Sequence, residues 1–308
     1  MMEPLVSIIT PCYNGEQYLD RYFQAVLAQT YGNLELIFIN DGSTDRTEEI
    51  ALSYREALEA REIHYLYEYQ ENAGQAAALN RGLKLFTGEY LTWPDADDGM
   101  TPDCIEKKVR YLDQHPDKEM CVCQGVAVLD NADQTFVENM RRIPPEKEET
   151  LFEDMIYIRN VFFTPGGYMV RTSALDEAIP HRDIYSGRGG QNAQVIIPIA
   201  YRGRVGYLDD VLFTYYIRKN SHSHQINDAK KTIEQIDRYE RIILETLKRM
   251  SPEIIERYQT SVQKHYARWA FGNTIETHDT VLIKKYFKKL CVVCHPTLRE
   301  YLLYLRHK

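Results

Sequence analysis

Three carboxylates at positions 95, 97 and 98, within Tyr90-Leu91-Thr92-Trp93-Pro94-Asp95-Ala96-Asp97-Asp98-Gly99, are the side chains of this sequence best suited to chemistry. An apolar run leads into them and a glycine follows. Pro94 fixes its own φ and pushes Trp93 towards an extended backbone, so a strand should end there and deliver Asp95 and Asp97 into a loop. In extended chain, positions i and i+2 face the same way about 7 Å apart, whereas a carboxylate oxygen sits about 2.1 Å from Mg²⁺. One carboxylate can hold a divalent cation while the other holds a group beside it. The same residues also read as an acidic loop capping a helix that Thr101-Pro102 would start. What gathers around them separates the two readings.

The elements that must position this loop alternate in type. Continuous apolar character predicts strands over 5–11, 34–39, 63–69 and 90–93, and apolar residues at helical spacing predict helices over 18–27, 45–58 and 73–86. Asp45, with Glu48 three residues on, reads as a capping box for the second helix. Such alternation with short connections indicates an α/β fold with a mostly parallel central sheet flanked by helices. In open α/β sheets ligands bind beyond the carboxyl ends of the strands. The polar loops 11–16, 40–45, 70–75 and 95–99 all fall at that edge. A helix over 103–115, strands over 121–129 and 135–140, a turn into a strand at 165–170, a helix after the Gly187-Arg188-Gly189-Gly190 loop and a strand over 205–217 follow. From about 226 the periodicity is helical, with breaks at Ser251-Pro252, Thr277-His278-Asp279 and Pro296. The expected division is a domain over 1–225, with halves 1–115 and 116–225, and a C-terminal helical extension over 226–308.

Composition narrows the function. The 308 residues carry 44% apolar and 27% charged side chains, ordinary for a globular chain long enough to bury a sizeable core. A net charge of −8 argues against a nucleic-acid partner. The 23 tyrosines are read mainly as aromatic core packing. Met-Met-Glu-Pro is not a basic segment followed by an apolar run, and no apolar stretch approaches the roughly 20 residues of a spanning helix, so a cytoplasmic location is expected. Six cysteines would then be reduced, and Cys291-Val292-Val293-Cys294-His295 reads as a chance match to the haem-attachment pattern. No G-x-G-x-x-G joins the first strand and helix, and no G-x-x-x-x-G-K-[ST] occurs, which excludes the usual dinucleotide and P-loop sites. An aspartyl phosphatase would carry its D-x-D after the first strand, whereas here it follows the fourth.

Four ordered blocks carry a specific resemblance. Ser7-Ile8-Ile9-Thr10-Pro11-Cys12-Tyr13-Asn14, Phe38-Ile39-Asn40-Asp41-Gly42-Ser43-Thr44-Asp45, Asn72-Ala73-Gly74-Gln75 with Leu79-Asn80-Arg81-Gly82, and Asp95-Ala96-Asp97-Asp98 resemble those of the inverting family 2 glycosyltransferases with the GT-A fold. The match is strong over 5–115 and weaker to about 225. The resemblance implies a nucleotide-sugar donor, usually a UDP-sugar, and a glycan or lipid-linked acceptor, plausibly in cell-surface polysaccharide synthesis. It implies that Thr10, Pro11, Tyr13, Asn14 and Asp41 hold base and ribose, that Asn72, Gly74 and Gln75 lie near the nucleotide, and that Asp95 sits by the ribose or donor sugar. It also implies that Asp97 binds Mg²⁺ or Mn²⁺ and that Asp98 orders the site or meets the acceptor. Arg218 and Lys219 are candidates for the diphosphate, and His222 and His224 for the metal.

The sequence departs from the family pattern where relatives carry a Glu-Asp pair whose carboxylate is the general base. Here Gly190-Gln191-Asn192 stands, and neither amide can be that base. A substitute carboxylate such as Asp183, an acceptor-positioning role for Gln191 and Asn192 while another group takes the proton, a base position elsewhere than Gly190-Gln191-Asn192, and a non-catalytic sugar-nucleotide binder are the open accounts. A nucleotidyltransferase acting on sugar phosphates is more distant, because the glycine-rich phosphate loop after strand one is absent. The basic, aromatic C-terminal helices suit packing against the catalytic domain, a second subunit in a homodimer, or peripheral contact with a membrane.

Overall fold

The computed structural model describes residues 3–142, 151–187, 189–218 and 229–307, which fall into two compact units. The first comprises 1–155 and 159–217, and the second comprises 156–158 and 218–308.

In the first unit the order is β1 (Val6–Cys12), α1 (Leu19–Leu27), β2 (Leu34–Asp41), α2 (Thr47–Ser53), α3 (Arg55–Ala60), β3 (His64–Gln70), α4 (Gln75–Leu83), β4 (Tyr90–Thr92) and β5 (Gly99–Met100). It continues through α5 (Cys104–Gln114), β6 (Met120–Leu129), β7 (Phe136–Met140), α6 (Leu151–Ile156), β8 (Tyr168–Arg171), α7 (Thr172–Ala178), α8 (Gln191–Ala200) and β9 (Val205–Ile217). Among the described residues these strands form one sheet in the order β3-β2-β1-β4-β8-β6-β9-β5, with β7 paired to β6. The parallel expectation holds from β3 to β4 and again for β6 beside β9, while β8 enters antiparallel between them. Because β8 opposes both β4 and β6, those two run the same way. The carboxyl ends of β1, β2, β3, β4, β6 and β9 therefore share one edge.

Every residue of β1 and β2 is buried, as expected of strands covered on both faces. The α1 face of Leu19, Tyr22, Phe23 and Val26 packs there, and Phe23 stacks on Tyr54 at 4.7 Å between ring centres. Tyr22, Tyr90 and Tyr168 lie in this core at 1% exposure or less, the use of tyrosine expected from composition. One carboxylate, Glu35, is buried among apolar neighbours. It is tolerated because Ser7 Oγ and the backbone N–H groups of Thr87 (2.6 Å) and Gly88 (3.0 Å) donate to it.

The predicted capping box at Asp45 does not form. The helix begins two residues later at Thr47, with Arg46 at its N-cap and no side-chain cap, and it breaks at Tyr54 into α2 and α3. The helix expected over 73–86 is shorter at both ends, while β5 and α7 have no counterpart in the sequence reading. The second unit holds α9 (Ala229–Met250), α10 (Pro252–Glu276), α11 (Thr280–Val293) and α12 (Leu298–His307), broken where Ser251-Pro252, 277–279 and Pro296 predicted. Ser251 Oγ caps α10, and Asp279 caps α11 by accepting from Val281 and Leu282 N–H.

Candidate active site

At the carboxyl edge the loops after β1 and β2 are stitched together. Asn14 adopts a φ of 52°, with its N–H donating to Ser43 Oγ (3.0 Å) and its Oδ1 accepting from Thr44 N–H (2.9 Å). Gly15 N–H donates to Thr47 Oγ1 (2.7 Å), Glu16 N–H to Asp45 Oδ2 (3.0 Å), and Arg46 N–H back to Glu16 Oε2 (3.1 Å). Asp45 thus links the two loops, and its Oδ1 also accepts from Thr47 N–H (3.0 Å) at the first position of α2. Its partial burial works to raise the pKa, but hydrogen bonds from the Thr47 hydroxyl and from the Glu16 and Thr47 backbone outweigh that and hold it below the ordinary carboxylate value. Of the predicted nucleotide residues here, Tyr13 and Asn14 are exposed. Pro11 and Thr10 are buried, and the Thr10 hydroxyl shares a hydrogen bond with Tyr22 in the core, so Thr10 offers a ligand only its backbone.

Asp41, at the end of β2, is 2% exposed and anchors the loop after β3. Its Oδ1 accepts from Gln70 Nε2 (2.7 Å) and Ala73 N–H (3.0 Å), its Oδ2 accepts from Gly74 N–H (2.9 Å), and its backbone carbonyl accepts from Asn72 Nδ2 (3.0 Å). Gly74, whose N–H serves this carboxylate, has a φ of 91° and a ψ of 156°, outside the helical region, so α4 starts only at Gln75. A carboxylate has about four acceptor positions, so three donors leave Asp41 about one for a ligand. Gly42 next to it has a φ of 71°, and a Cβ there would lie 2.5 Å from Asn72 N. Only glycine lets the two loops approach so closely.

The acidic loop follows β4. One carboxylate oxygen from each of Asp95, Asp97 and Asp98 lies within 4.8 Å of the other two, and Asp98 is buried. Asp98 N–H donates to Asp95 O (3.1 Å), which turns the loop, and Gln75 Nε2 at the start of α4 donates to Asp95 Oδ1 (2.6 Å). From beneath, the Arg21 guanidinium donates to the Asp97 carbonyl (3.1 Å) and to Asp130 (2.9 Å), and it lies 3.6 Å from the centre of the Tyr216 ring. Asp130 N–H in turn donates to Ile217 O (2.9 Å), which brings the ends of β6 and β9 to this edge. Arg21, Asp130 and Tyr216 were not legible as site residues, because no spacing links α1, β6 and β9. Oxygen-only donors of this kind suit hard divalent cations. Three carboxylates converging in this way fit a hard divalent cation such as Mg²⁺ or Mn²⁺, which Asp95, Asp97 and Asp98 would hold.

Towards the acceptor half, Gly189 (φ 81°) and Gly190 (φ 71°) turn the chain into α8. Gln191 and Asn192 are buried at its first positions. Asn192 Oδ1 accepts from the Trp93 indole N–H (3.2 Å), and its Nδ2 donates to Phe163 O (3.0 Å). This amide braces the strand end that enters the acidic loop. Asp183 lies 3.8 Å from Lys84 Nζ, just past the carboxyl end of α4, while Gln75 at the other end holds Asp95. Arg218 directly follows β9 and is half-buried, and Lys219, His222 and His224 lie outside the described residues.

The strand order and the loop after β4 define the class as GT-A α/β proteins. The fold agrees with that of TarS of S. aureus, residues 1–349 in complex with UDP-GlcNAc, at a TM-score of 0.60 and 18% identity over 94% of this chain and 88% of that one. The mannosyltransferase PcManGT from Pyrobaculum calidifontis, in complex with GDP-Man and Mn²⁺, gives 0.55 at 17% identity over 99% and 79% of the two chains. The model of glycosyl transferase family 2 matches residues 7–179, and the chain belongs to that family. An uncharacterized glycosyltransferase of Rickettsia typhi is 41% identical over 146 residues, 47% of this chain and 44% of that protein. The chain therefore matches less than half the length of this curated relative. No helix among the described residues is long and apolar enough to cross a membrane.

Proposed function

We propose that this chain transfers a sugar with inversion from a nucleotide-sugar donor, a UDP-sugar, to a glycan or lipid-linked acceptor, with Mg²⁺ or Mn²⁺ held by Asp97 together with Asp95 and Asp98. The observation that carries the reading is the convergence of those carboxylates within 4.8 Å at the edge where the loops after β1, β2 and β3 also end. UDP-GlcNAc in TarS and GDP-Man with Mn²⁺ in PcManGT support a nucleotide-sugar and a divalent cation as ligands. A cytoplasmic enzyme of surface-polysaccharide synthesis fits this chemistry.

The nucleoside diphosphate is the leaving group as the sugar passes to the acceptor hydroxyl, and a bound divalent cation would supply charge neutralisation for it. The chain's own groups do the positioning. The remaining acceptor position of Asp41 suits the imide N–H of uracil, the exposed Tyr13 and Asn14 flank the same loops, and Asn72 and Gly74 fix the loop beside them. Gln75 holds Asp95 towards the ribose and donor sugar. Asp98, buried in the same cluster, adds a third carboxylate to the cation site and orders the loop.

A non-catalytic sugar-nucleotide binder is the second reading, favoured by Asn192, whose amide is engaged with Trp93 and Phe163 where a base is needed. Release of UDP from a panel of UDP-sugars, with and without Mn²⁺ and with candidate acceptors, separates the two. Metal-dependent turnover supports transfer, whereas metal-dependent binding with no turnover supports the binder.

A further inference from the structure

In the second unit, α12 wears its apolar face outward. Leu298, Tyr301, Leu302 and Leu305 recur at i, i+3, i+4 and i+7, which is one stripe of a helix, and they are 76%, 49%, 55% and 40% exposed. The opposite side, with Glu300, Leu303, Tyr304 and His307, is half-buried, and Tyr304 stacks on Phe287 of α11 at 4.0 Å. The polarity of this helix is inverted relative to one that covers a core. Arg299 and Arg306 are exposed alongside the stripe.

The outer stripe of α11 has the same mixed character. Val281, Lys284, Lys285, Lys288, Cys291 and Val292 recur on one face, and all six are exposed. Lys289, by contrast, is turned inward to Asp237 (2.8 Å) and Glu240 (2.7 Å), and Glu300 is held by Arg268 (3.1 Å). What remains outward is apolar and positive. In sequence terms, seven basic residues and one acidic residue over 284–308 give +6, which leaves −14 on the other residues of a chain whose net charge is −8.

We propose that the α11 and α12 stripes form a docking surface for an anionic lipid bilayer, with Leu298, Leu302 and Leu305 entering the headgroup boundary and Tyr301 and the five cations at headgroup level. The combination is that of an interfacial amphipathic helix, in which apolar area and attraction to acidic lipids act together. The charge selects the occupant. A second copy meeting the same stripes across a two-fold axis would set lysines against lysines, whereas an acidic bilayer meets them with opposite charge.

This surface is independent of the sugar-transfer reading, and its test uses the full chain without substrate. Sedimentation is measured with vesicles of equal parts phosphatidylglycerol and phosphatidylcholine, and with vesicles of phosphatidylcholine alone. Two exposed-site variants are compared with the parent: Leu302→Asp with Leu305→Asp, and Lys284→Gln with Lys285→Gln and Lys288→Gln. Circular dichroism and gel filtration monitor their folding.

The parent is expected to sediment with the phosphatidylglycerol vesicles, weakly with phosphatidylcholine alone, and less as salt rises. The lysine variant should lose affinity on the order of a hundredfold, since each basic residue near an acidic surface contributes roughly a factor of five. The leucine variant should lose binding at every salt concentration. No sedimentation of the parent with acidic vesicles, or sedimentation of both folded variants equal to that of the parent, overturns the assignment. A parent dimer that the leucine variant converts to monomer assigns the stripe to self-association and overturns it as well.

Discussion

The Asn192 amide has both polar atoms engaged in bracing, with its oxygen on the Trp93 indole and its nitrogen on the Phe163 carbonyl. A carboxylate in its place would accept from Trp93 but face the Phe163 carbonyl without a proton to donate. Asn192→Asp is therefore expected to lose about 1–3 kcal/mol of stability and to lower UDP release, as measured by urea unfolding and a turnover assay. A rise in turnover would instead assign a base to this position. Asp41 carries a similar double duty. Asn at 41 can offer one acceptor oxygen but sets its NH₂ against either Ala73 or Gly74 N–H, so the loop after β3 loosens. Asp41→Asn should weaken UDP by about tenfold or more, the equivalent of roughly 1.4 kcal/mol or above, in calorimetric titration. Much of this residue-scale detail was legible: Asp41, Asn72, Gly74, Gln75 and the three acidic-loop carboxylates stand at one edge as their motifs implied. Asp183 is placed by an ion pair with Lys84 beyond the carboxyl end of α4, a contact no motif encodes. Arg21 was missed because its contacts are with backbone and side chains far away in the sequence.

The stitched loops at the carboxyl edge are the elements on which the site depends, and Asp45 is their best handle. Its pKa is lower in the folded chain than the roughly 3.9 of an unfolded aspartate, so its stabilisation is fully present above that value and fades as pH falls through the folded pKa. Asp45→Asn should be less stable than the parent near neutrality, and the difference should shrink as unfolding is followed below about pH 4. Gly42→Ala tests the same junction sterically. With a Cβ 2.5 Å from Asn72 N and a φ of 71°, the loops must separate, so UDP affinity should drop while the far-UV spectrum is retained. At this scale the periodicity of β1 to β4, α1, α5 and α9 to α12 was readable because each buries a continuous run or a stripe. The start of α4 was not, because Gly74 takes a non-helical φ of 91° where its N–H and that of Ala73 bind Asp41. The capping-box pattern at Asp45 is not formed as read, since α2 starts at Thr47 and Asp45 Oδ2 is taken by Glu16 N–H from the loop after β1.

For the whole molecule, parallel strands, crossover helices and a helical second unit each have a stated role. The first unit brings six strand ends to one edge, and the second exposes a positive, apolar stripe on an otherwise acidic chain. The mixed character of the sheet beyond β4 was hidden, since an antiparallel β8 inserted between β4 and β6 leaves no mark in local pattern. The central claim concerns the edge where the acidic loop meets the loops after β1, β2 and β3, and isothermal calorimetry of UDP with and without Mn²⁺, on the parent and on Asp97→Ala, tests it directly. Parent binding should strengthen at least about tenfold with Mn²⁺, equivalent to roughly 1.4 kcal/mol, and Asp97→Ala should lose that increment while keeping its thermal unfolding midpoint. If Asp97→Ala binds UDP with the same Mn²⁺ dependence as the parent, or if the parent does not bind UDP under either condition, the account of this site is wrong.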